Sequence, residues 1–135
     1  TTEGSWDKPV NSHDVPTGIK VGANSCNGEI LIVKGKLTSN GKPCYVALQS
    51  LPKADTRADV SIYYKVLEEG KKYTTIEFAE GWKLGMQVTQ KRSAYSTMCL
   101  QKDGRIAFFY EEEPYIFNMV YVPLTLMQAT NGEVK

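Results

Sequence analysis

The sequence predicts an all-β chain, on three observations. Between Gly28 and Tyr121 the apolar runs are short and rich in Val, Ile, Tyr and Phe. Glycine-containing turns separate them, and no stretch repeats apolar residues at helical spacing for three turns. The elements follow in order. Residues 1–19, with Pro9, Pro16 and many polar side chains, read as an irregular start. A first hairpin joins 29–37 to 44–49 through Ser39-Asn40-Gly41-Lys42, where Asn-Gly is expected to supply the positive φ angles of a tight turn. A second joins 59–67 to a strand over 73–79 through Glu68-Glu69-Gly70-Lys71. A third joins 95–100 to 105–110 through Lys102-Asp103-Gly104, and Glu112-Glu113-Pro114 turns the chain into a last strand over 116–126.

Composition excludes several classes. The 135 residues fit one domain, and 41% hydrophobic with 23% charged residues is ordinary for a globular protein. Sixteen basic against fifteen acidic residues, 16 − 15 = +1, with signs mixed along the chain, give no electrostatic case for nucleic acid or an anionic membrane. The longest apolar runs, such as 30–33, are too short to cross a bilayer. Cys26, Cys44 and Cys99 form no CxxC pair, and with His13 as the lone histidine they supply no zinc spacing, so no metal or cofactor is expected. An odd cysteine count argues against a disulfide scaffold, and all three are expected to pack as small core hydrophobes. Thr1 follows no initiator methionine or signal-like stretch, so the start reads as a processing or expression boundary.

Grouped by turns, the strands make two antiparallel meanders, 30–78 and 86–126, which either face each other as a sandwich or stand side by side as propeller blades. The segment 66–73 is similar to a degenerate Asp-box, the Ser-x-Asp-x-Gly-x-Thr-Trp hairpin of certain propeller blades. Glu68 stands for the Asp, Gly70 is kept and Tyr73 stands for the Trp, while Val66 and Lys72 replace both hydroxyl residues. At about 40–45 residues per blade, even a four-bladed propeller needs about 160 residues. The chain is therefore either a sandwich or a piece of a larger propeller.

The most distinctive residues are Arg57 in Thr56-Arg57-Ala58-Asp59, Tyr95 in Ser93-Ala94-Tyr95-Ser96, and Glu111 after Phe108-Phe109-Tyr110. Ser-Ala-Tyr-Ser, an Asp-Gly turn, an apolar strand ending Tyr-Glu, and Met119-Val120-Tyr121-Val122-Pro123-Leu124 come in the order of the closing stretch of the sialidases. From about residue 26 to 126 the chain resembles the C-terminal part of that family, exo-acting glycosidases built on a six-bladed propeller. The resemblance implies that 1–20 ends a preceding blade, 21–80 makes one blade and 81–135 the final one.

It also implies roles that make chemical sense. Sialic acid carries a carboxylate on its anomeric carbon, so an Asp or Glu nucleophile would approach against like charge. A tyrosine phenol is neutral until a neighbouring carboxylate takes its proton, and sialidases depart from the two-carboxylate rule in this way. Tyr95 is given that role; otherwise it is one of eight tyrosines packed on a strand. Arg57 would be one of three arginines holding the substrate carboxylate, since guanidinium offers paired donors in one plane; otherwise it is a loop arginine paired with Asp55 or Asp59. The separation 95 − 57 = 38 spans one hairpin plus a connection, so both can project from the same end of adjacent blades. Glu111 would brace another arginine of the triad; otherwise it belongs to a solvated acidic turn. Arg92, beside Tyr95, is not required by the family pattern and is set aside.

The acid/base aspartate, the glutamate that activates the tyrosine and the other two arginines are not in this sequence, and the earlier blades would supply them. The expected function is thus part of an exo-α-sialidase hydrolysing terminal sialic acid with retention. Its partners are a sialylated glycan and the remaining N-terminal blades, and its location is secreted, periplasmic or lysosomal. The alternatives are a non-catalytic carbohydrate-binding sandwich, with Trp6, Trp82 and tyrosines stacking on sugars, and an inactive propeller that kept the nucleophile region.

Overall fold

The computed structural model describes residues 7–22, 24 and 26–135. Strands dominate, in two antiparallel sheets. The first has the order β1 (Ile30–Lys36), β2 (Pro43–Pro52), β3 (Val60–Glu68), β4 (Lys83–Gln87). The second has β5 (Ser93–Leu100), β6 (Ile106–Glu112), β7 (Asn118–Leu124). Two short helices, α1 (Thr75–Ala79) and α2 (Leu126–Ala129), follow β3 and β7. Among the described residues no helix is long and apolar enough to cross a membrane.

Two of the three expected hairpins lie where turn chemistry puts them. The β1–β2 loop closes with Leu37 N donating to Lys42 O at 2.9 Å. Only Gly41 takes the left-handed conformation there, at φ +71°. Asn40 contributes through its side chain instead, Oδ1 accepting from Lys42 N at 2.9 Å. The β5–β6 turn carries Gly104 at φ +84°, with Asp103 accepting from the Arg105 backbone N at 3.0 Å.

The second hairpin departs from expectation. Residues 73–79 do not form a strand, because Thr74 caps α1: its side chain accepts from Glu77 N while Glu77 Oε2 accepts from Thr74 N, a reciprocal capping box. The partner of β3 is β4, so Met86 belongs to the first sheet rather than opening the second meander. The segment resembling an Asp-box is thus a turn into a helix, with Gly70 at φ +79° and the Tyr73 hydroxyl accepting from Glu68 N at 2.8 Å. Of the irregular start, 1–6 including Trp6 lie outside the described residues; the rest holds one short 3-10 turn, Ser12–Asp14.

The two sheets turn their faces to each other across one core rather than meeting edge to edge. Val33, Val46, Leu48, Val60, Ile62 and Tyr64 from the first sheet pack with Met98, Ile106, Phe108, Tyr110 and Leu124 from the second. Side chains also join the sheets directly. Ser96 Oγ bonds Ser50 Oγ at 2.8 Å, Val60 N donates to Ser93 Oγ at 3.0 Å, and Thr97 Oγ1 donates to Glu29 Oε2 at 2.7 Å. The C-terminus closes the core, with buried Val134 bridged to Leu37 and Glu133 accepting from Tyr64 Oη and Lys83 Nζ.

Strand alternation leaves the outer faces different. On the first sheet Lys65 is buried and donates to the carbonyls of Glu77 at 2.5 Å and Glu80, capping the end of α1. On the second sheet Tyr95, Phe109, Met119 and Tyr121 stand exposed, with the Phe109 and Tyr121 rings 4.9 Å apart. Cys99 lies on that face and is exposed, and Cys26 is partly buried, so of the three thiols only Cys44 is a core residue. An open apolar patch of this kind favours association. The 135-residue chain alone is expected to raise the fluorescence of a hydrophobic dye, and Phe109→Thr with Met119→Thr is expected to abolish the increase. A doubly substituted chain that binds the dye unchanged would place the sticky surface elsewhere.

Candidate functional site

The meander topology sends four connections to one end of the molecule: the segment before β1, the β2–β3 loop (53–59), the β4–β5 link (88–92) and the β6–β7 turn (113–117). Backbone hydrogen bonds stitch them together. Ser93 N donates to Arg57 O at 2.8 Å, Asp59 N to Lys91 O at 3.2 Å, and Glu113 N to Arg92 O at 2.9 Å, while Ala58 and Arg92 form an isolated bridge. Arg57, Asp59, Glu113 and Phe117 all have φ between +51° and +60°. Non-glycine residues held there are strained by about 1 kcal/mol or more each, and such strain concentrates at functional loops.

Arg57 sits in the 53–59 loop, its Nε donating to Asn24 O at 3.0 Å. With Asn24, Thr56, Arg92 and Tyr115 it lines a polar cleft of about 440 Å³. Tyr95 lies two residues beyond the Ser93 that bonds Arg57. Ser93 pairs with Glu112 and Ser96 with Tyr110, so Ala94 and Tyr95 together oppose the single residue Glu111. That two-against-one bulge re-aims the side chains at this edge of the ladder. The Cys26 thiol reports the neighbourhood: burial pushes it above its usual value, the Arg57 guanidinium opposes that, and the Glu111 carboxylate adds to it.

Arg57, Tyr95 and Glu111 therefore come to one end of the fold, but their side chains do not share one cavity. Tyr95 lines a separate hollow of about 130 Å³ with Ser96, Thr97, Phe109 and Met119. Among the described residues its hydroxyl has no hydrogen-bond partner, and no group of three or more His, Cys, Asp and Glu side chains is gathered to hold a metal.

Two residues at this end, Tyr115 and Glu112, were not singled out from sequence, and Arg92 was considered beside Tyr95 and set aside. Arg92 and Tyr115 share the Arg57 cleft, with the Arg92 guanidinium 4.5 Å from the Tyr115 ring centroid. Glu112 is buried and accepts from Tyr110 Oη at 2.6 Å, Lys91 Nζ at 2.8 Å and Thr89 Oγ1 at 3.4 Å, tying the β4–β5 link to β6. The signal for Glu112 was present: Phe108 and Tyr110 face the core, so alternation turns residue 112 inward within the acidic run. Tyr115 carries no such signal, because only the register brings its loop beside Arg92.

The Glu112 network predicts how stability responds to pH. The Lys91 hydrogen bond, then that from Tyr110, holds the Glu112 carboxyl below its ordinary value. Burial, then the hydrogen bond to Glu112, pushes Tyr110 up to about 12. A depressed acid contributes stability that is fully present above the ordinary Glu range, near ~4.3, and is lost as pH falls through the folded value. A raised phenol contributes stability that is present below ~10 and is lost as pH rises toward its folded value. The urea midpoint is thus expected to be flat between about pH 5 and 9 and to fall on both sides. Glu112→Gln is expected to shallow both limbs, and an unchanged profile would show that the network does not couple to folding.

The chain matches no protein-family model and no curated protein sequence.

Proposed function

We propose that this chain is the closing part of an exo-α-sialidase propeller, in which Tyr95 is the nucleophile, Arg57 holds the substrate carboxylate and Glu111 braces a further arginine. The observation that supports the reading is that the Arg57 loop and the ends of β5 and β6 that carry Tyr95 and Glu111 lie at the same end of the fold. The four- and three-stranded sheets face each other across a shared core, the arrangement expected of a sandwich rather than of blades set side by side, so the propeller part of this reading rests on the resemblance alone. Apolar residues exposed on the outer face of the second sheet are what a blade needs to meet its next neighbour. A location outside the cytoplasm goes with this reading.

In the reaction the Tyr95 oxygen attacks the anomeric carbon as the bond to the leaving oxygen breaks, its proton passing to a carboxylate from an earlier blade. A second carboxylic acid there protonates the leaving oxygen, and water then releases sialic acid with net retention. Arg57 offers a planar pair of donors that a carboxylate fills bidentately. The test is covalent labelling. In the full-length protein, a fluorinated sialic acid that forms the intermediate but releases it slowly is expected to leave its mass on the Tyr95 peptide. Arg57→Lys is expected to lower kcat/KM by about tenfold or more, because a point charge does not reproduce the fork.

The competing reading is a non-catalytic carbohydrate-binding sandwich. Its support is that Tyr95 lines a hollow apart from Arg57 and belongs to the aromatic outer face. It predicts glycan binding with no label on Tyr95, so the same experiment separates the two.

A further inference from the structure

The β6–β7 turn carries the most exposed apolar side chains of the molecule. Tyr115, Ile116 and Phe117 follow one another there at 77%, 73% and 80% exposure, the highest of the large apolar residues among those described. Side chains placed in water in this way add nothing to the core, and such a cluster marks a surface that meets a partner. The turn itself is well tied. Ile116 N donates to Glu113 O and Glu113 N to Arg92 O, both at 2.9 Å. Glu113 and Phe117, on either side of the 3-10 turn Pro114–Ile116, both take left-handed backbone, at φ +51° and +53°.

Charges of both signs stand behind this tip. The Arg92 guanidinium lies 4.5 Å from the Tyr115 ring centroid and shares the polar cleft with Arg57. Glu113 is in the turn, Glu111 pairs in register with Met119, and Asp55 and Asp59 belong to the Arg57 loop, so the collar has no basic excess. A collar of this kind gains nothing from an anionic surface. It complements a zwitterionic headgroup instead, guanidinium to phosphate and carboxylate to the choline ammonium.

Size also selects the partner. Three side chains are too few for a stable protein interface, which needs about 1,000 Å² or more. A bilayer takes an apolar tip of any shape, with aliphatic and phenyl groups below the headgroups and the amphipathic tyrosine at their level. We infer that the 115–117 tip docks on a zwitterionic phospholipid bilayer, Ile116 and Phe117 entering the acyl region while Tyr115 and Arg92 stay at the phosphates. The inference does not depend on the sialidase reading; it turns the end of the fold that carries the Arg57 cleft toward the lipid surface.

The experiment is flotation of the full-length protein with phosphatidylcholine vesicles. A single myristoyl chain binds with an association constant of about 10⁴ M⁻¹, and the smaller tip is expected to half-saturate near about 1 mM lipid. Ile116→Ser with Phe117→Asn, asparagine tolerating the left-handed backbone, is expected to weaken binding by about tenfold or more and to leave the melting temperature unchanged. Arg92→Ala is expected to weaken it by about threefold. High salt, or phosphatidylserine in place of a third of the lipid, is expected to change binding by less than about twofold, since the collar carries both signs. Phe109→Thr with Met119→Thr is expected to leave vesicle binding within about twofold, which separates the tip from the apolar outer face of the second sheet. Absence of flotation, or flotation unchanged by the tip substitutions, would overturn the inference. Binding that needs phosphatidylserine and disappears in salt would overturn it in favour of charge-driven adsorption, and a dimer abolished by the tip substitutions without flotation would assign the tip to a second copy of the chain.

Discussion

Tyr95→Phe in the full-length protein is expected to lower turnover of a sialoside by about three orders of magnitude or more, with the unfolding free energy changed by less than about 0.5 kcal/mol. The two expectations have separate grounds. The substitution deletes one oxygen, the atom that bonds to the anomeric carbon, and phenylalanine has no replacement nucleophile. The same oxygen is dispensable to the fold. Tyr95 is 52% exposed, and with Phe109 and Met119 it lines a shallow hollow. Its hydroxyl has no hydrogen-bond partner among the described residues, so removing it strands no buried donor or acceptor. A rate assay and a chemical melt of the same preparation measure both. Near-normal turnover would reduce Tyr95 to a strand residue, and a large loss of stability would mean that its hydroxyl is satisfied by a group in another part of the protein.

The readable parts of the fold are those where a single local signal decides. Strands β1 and β2, β5 and β6, and β7 carry alternation and are joined by turns with Gly41 or Gly104 where a positive φ is needed. The misread stretch is one where two signals conflict. Tyr73, Thr74, Thr75, Ile76 and Phe78 have strand-like propensities, yet Thr74 and Glu77 close a capping box that starts a helix. β4 was hidden for the opposite reason. Its central Gly85 weakens strand propensity, but a Cβ there would come within 2.1 Å of Ala129 O, so the glycine marks where α2 crosses the strand. For the site, Arg57, Tyr95 and Glu111 were legible only through resemblance to a family pattern. Glu112 was hidden by its acidic neighbours and Tyr115 by the fact that loop-to-loop proximity is a property of register, while Arg92 was seen beside Tyr95 but set aside because the family pattern does not require it. Cys99 was misplaced because local apolar company does not say which face of a strand a residue occupies; Met98 beside it takes the inward position.

Two adjacent residues on β6 give the second large effect. Phe108→Ala is expected to destabilise the isolated chain by about 3–5 kcal/mol, and Phe109→Ala by about 1 kcal/mol. Phe108 is fully buried, paired in register with Met98 and Val122 and lying in the same cluster as Val46, Leu48 and Ile62 of the facing sheet. Its removal empties the middle of the core that both sheets share. Phe109 points the other way, 38% exposed beside Tyr121, and loses mainly that one ring contact. Similar costs at the two positions, read from urea unfolding, would contradict the two-sheet core. Repeating Phe109→Ala in the full-length protein then tests the propeller itself. A neighbouring blade packed on the outer face of the second sheet would bury Phe109, and the cost is expected to rise toward the about 3 kcal/mol typical of a buried phenylalanine. If it stays near 1 kcal/mol, that face is a free surface and the chain is a self-contained sandwich.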